Sequence, residues 1–124
     1  MNDATKKTKA QTVKNNAALT GMANALELFN EIYGEMTVLQ MRVFIAVARR
    51  ERATGGDLAK ALDVSTPNVS RCVAVLSDFT IARRKHEPLN LVTLEHDALD
   101  RRVKYVVLTE EGRAFAAALT SQFS

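Results

Sequence analysis

Two small groups of side chains in this 124-residue chain have the types and spacing to meet an anionic, hydrogen-bonding surface. The first is Thr66, Pro67, Asn68, Ser70 and Arg71, inside the stretch "DVSTPNVSRCVAVLSD" (63–78). An asparagine amide presents a donor and an acceptor side by side, the pattern that reads the edge of an adenine. An arginine fork fits a guanine edge or clamps a phosphate. Either residue could instead hold only a phosphate backbone, since phosphates take half or more of such contacts. The second group is Asp100, Arg101 and Arg102, in "EHDALDRRVK". Two guanidinium groups beside one carboxylate in a turn lose entropy when ordered, which favours an anionic partner over bare solvent. A third basic group, Arg83, Arg84 and Lys85, is equally consistent with phosphate contact and with solvated surface.

Other chemistry finds little support. Cys72 falls on the apolar side of its segment, where a lone thiol packs more often than it senses oxidants. His86 and His96, taken with Cys72 and Asp97, lack the spacing of a metal site. No nucleophile–base pair, glycine-rich phosphate loop or paired-carboxylate constellation stands out. No catalysis, metal or cofactor is expected.

The elements that must carry these residues follow from periodicity and caps. Residues 1–15 are polar, with Lys6, Lys7, Lys9 and Lys14, and read as a flexible basic tail. A first helix spans roughly 17 to 33, where Leu19, Met22, Leu26, Phe29 and Tyr33 make a heptad-like seam that ends before Gly34. Such a seam suits packing on its own domain and pairing of two subunits alike. Thr37 with Gln40 forms a capping box for a second helix, whose core faces are assigned to Val38, Met41, Phe44, Ile45 and Val47. The run Arg49-Arg50-Glu51-Arg52 reads as its solvated end. Thr54 with Asp57 starts a third helix with Leu58, Ala59 and Leu62 inward.

After a tight turn at Asp63-Val64, Ser65 or Thr66 caps the fourth helix, with Pro67 in the first turn, where its missing N–H costs nothing. Val69, Cys72, Val73 and Leu76 then repeat at buried helical spacing. Two short helices around such a turn form a helix-turn-helix, whose second helix offers its N-terminal residues to the major groove of DNA. Residues 79–90 read as a loop. "LVTLEH" (91–96) and "RRVKYVVL" (101–108) form a β-hairpin with "DALD" at its tip. Thr109 caps a last helix with Phe115, Leu119 and Phe123 on one face. The expected fold is mainly α with a small β-hairpin: a winged helix-turn-helix, one domain over 16–124, with flanking dimerisation helices.

Composition sets the outer bounds. The chain is 47% hydrophobic and 25% charged, with a net charge of +3 and a pI near 9.2. That is ordinary globular make-up, mildly basic, compatible with a nucleic-acid partner without requiring one. One cysteine excludes an internal disulfide framework. No apolar run approaches the roughly 18 residues of a membrane span and no signal-peptide core opens the chain, so a soluble, cytoplasmic protein is expected.

From about Met36 to Leu119 the sequence resembles the multiple-antibiotic-resistance regulator (MarR) family. The matching stretches are "TVLQMRVFIAVA", "TGGDLAKALDVSTPNVSRCVAVL" and "NLVTLEHDALDRRVKYVVLTEEGR". The most specific is the wing tip with paired acids and arginines leading into a Thr-capped helix, Asp97 to Arg113. The resemblance implies a dimeric regulator of transcription bound to a pseudo-palindromic double-stranded DNA operator, with repression the expected sign. It puts Thr66, Pro67, Asn68 and Arg71 at base-facing positions, with Ser70 beside them. Arg102 becomes the minor-groove arginine, flanked by Arg101 and oriented by Asp100. Dimerisation is expected from Leu19, Met22, Leu26, Phe29 and Tyr33 together with Phe115 and Leu119.

Three departures from the family stand out. Asp63 replaces a turn glycine, a mild change because aspartate tolerates left-handed backbone. The link before the first wing strand is about ten residues longer and carries the third basic group. A single C-terminal helix stands where the family has a longer helical pair. That throws more of the dimer interface onto the first helix and leaves a small-molecule effector possible but unsupported. The alternative reading is a winged helix used for protein interaction or assembly without specific DNA binding. Such a module has no need of Asp100, Arg101 and Arg102 together.

Overall fold

The computed structural model of the chain describes residues 2–78 and 87–123, with side chains from residue 16 onward. Its elements are α1 (Asn2–Ile32), α2 (Val38–Ala48), β1 (Ala53–Thr54), α3 (Gly55–Leu62), α4 (Thr66–Leu76), β2 (Val92–His96), β3 (Lys104–Leu108) and α5 (Glu110–Ser121). The basic loop residues Arg83, Arg84 and Lys85, together with His86, lie outside the described residues.

Local chemistry fixes where the helices begin. Thr37 Oγ1 accepts from the Gln40 amide at 3.1 Å while Gln40 Oε1 accepts from the Thr37 amide at 2.9 Å. Thr54 and Asp57 repeat that reciprocal pair at 3.0 Å each way. Ser65, not Thr66, caps α4 by accepting from the Asn68 amide, and Thr109 caps α5 by accepting from Gly112. Each cap satisfies donors that the first helical turn leaves orphaned. Asp63 closes α3 in the left-handed region, at φ 55° and ψ 50°, and its amide bonds back into the helix.

Helix α1 differs from expectation at its start. It begins at Asn2, so the segment read as a tail is continuous with the helix. No glycine or proline interrupts the chain before Gly21, and nothing local provides a stop near residue 17. The seam along α1 also divides. Leu19, Met22 and Leu26 are exposed, but Phe29 is only 3% exposed and lies in the core, with Tyr33 packed against that core.

Phe29, Phe44 and Phe115 meet edge-to-face, with ring centroids 5.1 to 6.0 Å apart, and join α1, α2 and α5 at one point. Phe115 and Leu119 are partly buried and pack against this core. The rest of the core belongs to the helix-turn-helix and the sheet: Leu58, Val69, Leu76 and Val92 are fully buried.

On α2 the inward residues are Val43, Phe44, Ala46 and Val47. Val38, expected inside, is 70% exposed, and Ile45 also faces out. Apolar residues run nearly all round this helix, so its pattern marks no single face.

The three strands order as β1-β3-β2, all antiparallel. Val92 pairs with Leu108 and His96 with Lys104, while the two-residue β1 sets Ala53 against Val106 and Thr54 against Tyr105. The second wing strand starts at Lys104, because Arg101 and Arg102 are taken up in the tip. There the Asp97 amide donates to Val103 and the Val103 amide to Asp100. At the base of the wing, Asn90 and Leu91 donate to the carbonyls of Ser77 and Leu76, so the chain leaving α4 returns beside its own exit. No helix among the described residues is long and apolar enough to cross a membrane.

Gly112 closes the packing between α5 and the wing base. A Cβ at this position would run into the Leu91 carbonyl oxygen, which already accepts the Thr109 amide at 3.1 Å. The obstacle is backbone and cannot rotate away. Gly112→Ala should therefore destabilise the fold by about 1–3 kcal/mol, the usual scale of overpacking, despite alanine's better helix propensity. Urea titration followed by circular dichroism checks this, and an equal or higher midpoint would contradict the close approach.

Candidate nucleic-acid interface

Helix α4 buries Val69, Cys72, Val73 and Leu76 and leaves Thr66, Pro67, Asn68, Ser70 and Arg71 exposed. All five residues expected on the binding face thus share it. Arg71 Nη1 donates to Asn68 Oδ1 at 3.2 Å, one helical turn apart. That contact holds both long side chains over the N-terminal half of the helix. It leaves the asparagine amide protons and most of the guanidinium donors free for a ligand's edge. The Cys72 thiol is buried, and burial pushes its pKa up, away from the reactive thiolate.

The wing tip is built from carboxylates that accept backbone amides. Asp97 Oδ1 accepts from Leu99 at 2.8 Å and from Asp100 at 3.1 Å, which closes the turn. Asp100 Oδ1 accepts the Arg102 amide and also Arg102 Nε, both at 3.1 Å, and Oδ2 accepts Nη2 at 3.2 Å. The guanidinium is gripped in a two-pronged pair while its side chain is 92% exposed, against 43% for Asp100. A surface pair of this kind adds little to stability. Its consequence is geometric: an arginine pointing into solvent has its rotamers restricted in advance. Arg101 is exposed beside it, and its carbonyl lies 2.9 Å from His96 Nδ1. The tip so brings Asp100, Arg101 and Arg102 together as expected.

Two contributors, Tyr105 and Arg52, carry no signal in the sequence. Tyr105 Oη donates to Asp97 Oδ2 at 2.9 Å, and the Arg52 guanidinium sits 4.4 Å over the Tyr105 ring. The sequence places Arg52 in a charged run at a solvated helix end. Its ring partner is 53 positions away, and only the β1–β3 pairing brings them together. Alternation along β3 would place Tyr105 on one face but could not name what lies there. Among the described residues no group of three His, Cys, Asp or Glu side chains could hold a metal ion.

Both tip carboxyls are held below the usual aspartate range. For Asp100 the main cause is the hydrogen bond from Arg102; for Asp97 it is the Leu99 amide, then the Tyr105 hydroxyl. The order these acids give the wing is therefore complete above the ordinary carboxylate pKa of about 3.9 and is lost only as pH falls through the lowered values. Side-chain carboxyl NMR should show both titrating with midpoints below about 3.9. A midpoint at or above the ordinary value for either acid would contradict the geometry.

No family model and no curated protein matches the chain. Solved structures do. S. aureus MepR bound to ethidium bromide superposes with a TM-score of 0.68 at 25% identity, over 99% of this chain and 78% of that one. MepR in its complex with DNA gives 0.63 at 25% identity, over 93% and 82%. A MarR-like transcriptional regulator from Thermotoga maritima gives 0.58 at 30% identity, over 76% of this chain and 60% of the other. The likeness to MepR extends over almost the whole chain, α1 included. Sequence motif and superposed fold agree: the chain has the winged-helix fold of these MarR-like regulators.

Proposed function

We propose that this chain is a sequence-specific double-stranded DNA-binding regulator of transcription, acting in the cytoplasm as a dimeric repressor that occludes a promoter. The observation that carries the reading is Arg102, almost fully exposed yet held by both oxygens of Asp100 at the wing tip. A narrow minor groove has a strong negative potential, and a guanidinium ordered beforehand enters it with less entropic loss. The similar S. aureus protein solved with DNA supports the same partner. In this reading Asn68 and Arg71 read base edges, while Thr66, Pro67 and Ser70 lie against them. Arg101 reaches a phosphate, and Arg83, Arg84 and Lys85 add backbone contacts. No catalysis is assigned.

Dimerisation is assigned to the part of the α1 seam that the core leaves uncovered, Leu19, Met22 and Leu26. Phe29 is excluded from it, because its ring is buried in the protomer's own core, where Phe115 packs against it. An open groove of about 600 Å³ between α1, α2 and α5 continues this apolar surface, with Met22, Leu26, Val38, Ile45 and Phe123 on its walls. Exposed apolar surface of this extent on a small protein favours a subunit contact.

Selection from a random duplex pool should enrich a pseudo-palindrome with half-sites about 10 base pairs apart, or a multiple of that, centre to centre. Asn68→Ala or Arg71→Ala should weaken binding to that duplex by about 1–3 kcal/mol and relax preference at one base pair per half-site. Arg102→Ala should cost at least about tenfold in affinity with an unchanged melting temperature. Asp100→Ala should give a smaller loss in the same direction, although simple charge counting predicts a gain. Tighter binding by Asp100→Ala would make the wing a mere charge patch, and no effect of either wing variant would favour the protein-interaction module. Leu26→Glu should leave the protomer folded and shift light scattering from dimer to monomer; a wild-type chain monomeric at micromolar concentration would refute the seam.

A further inference from the structure

The distal half of the wing has almost no core of its own. From Leu94 to His96 the side chains of β2 are exposed, as is Lys104 across from them. A free two-stranded ribbon twists and bends easily. Yet Arg102 acts at its far end, where a small change in attitude moves the guanidinium by a large amount.

We infer that Arg52, Tyr105 and Asp97 form a brace that fixes the attitude of the wing tip, and with it the direction of Arg102, relative to the helix-turn-helix. The inference rests on the DNA-binding reading for its functional consequence. Each link is a direct contact. Arg52 precedes β1, whose Thr54 both pairs with Tyr105 and caps α3, so Arg52 is anchored to the start of the helix-turn-helix. Its guanidinium lies over the Tyr105 ring, an arrangement favoured by the negative face of the π system. The Tyr105 hydroxyl donates to Asp97, whose other oxygen holds the amides of Leu99 and Asp100. Asp100 then holds Arg102. A continuous line of contacts runs from the body of the domain to the exposed arginine.

Arg52 and Tyr105 are thus positioning residues that act through Arg102 and touch no DNA themselves. This differs from the plain alternative, in which Arg52 is one more phosphate contact. A phosphate-bound Arg52 would contribute about one unit of salt slope on its own and would be indifferent to Arg102.

The test uses the full chain and the duplex that the wild-type protein enriches from a random pool. Tyr105→Phe and Arg52→Gln should each weaken binding by about threefold to tenfold, the scale of one hydrogen bond or stacked pair. In an Arg102→Ala background the same changes should have less than about twofold effect, since the group they position is gone. The salt slope should stay unchanged in both, and Arg52→Lys should recover part of the loss because an ammonium retains the ring contact. In the free protein, Tyr105→Phe should lower the heteronuclear NOE of the amides from Leu99 to Arg102 and of Arg102 Nε while the melting temperature holds. Equal losses in both backgrounds, or a slope reduced by about one in Arg52→Gln, would overturn the brace. If the wild-type chain enriches no duplex, the DNA-binding reading falls by itself. The NOE then decides the brace alone, and an unchanged tip in Tyr105→Phe would overturn it.

Discussion

Strand β3 is hydrogen-bonded along both edges, and the geometry of the whole domain depends on that. On one side it carries the wing partner β2; on the other it takes the two residues of β1, which lead directly into the first helix of the helix-turn-helix. Without β1 the wing would be a free hairpin joined to the body only at its base. With it, Val106 is buried between two partners and Tyr105 stands across from Thr54, the cap of α3. One residue therefore ends a strand and starts a helix. The spacing of wing and helix-turn-helix follows from that double use, because neither the ladder nor the cap has slack.

The second constraint is where polar groups are satisfied. The exposed face of α4 and the wing hold their own side chains in pairs: Asn68 with Arg71, Asp100 with Arg102, Tyr105 with Asp97. Exposed pairs contribute little to folding free energy. What they do is reduce the number of conformations an incoming ligand must freeze, so part of the ordering entropy is lost in folding and not in binding. The same economy is absent from the α1–α2–α5 face, where Met22, Leu26, Val38 and Ile45 remain uncovered. One side of the protein carries paired polar side chains and another an uncovered apolar surface.

Most of the fold was legible because its signals are local. A capping box spans three residues, a helix face repeats within two turns, and a β-hairpin announces itself by alternation around a polar tip. Thr37 with Gln40, Thr54 with Asp57, Thr109 before α5 and the left-handed Asp63 all sit where the sequence alone put them. The exposed face of α4 follows from helical spacing, while the Asp100–Arg102 pair was an expectation of the family resemblance.

What the sequence could not decide was anything requiring a choice between equivalent faces or distant partners. Helix α2 is apolar nearly all round, so only packing against α1, α4 and α5 determined that Phe44 turns inward and Val38 outward. The α1 seam has one unbroken period, yet the three-phenylalanine junction claims Phe29 and leaves Leu19, Met22 and Leu26 uncovered. Strand β1 is two residues long and carries no period at all; it exists because β3 offers it a free edge. The contact of Arg52 with Tyr105 follows from that pairing alone. Sequence determined which residues are polar, capped and periodic, because those properties act over a few bonds. Tertiary structure decided which apolar faces are covered and which charges meet, because those depend on surfaces that only the folded chain brings together.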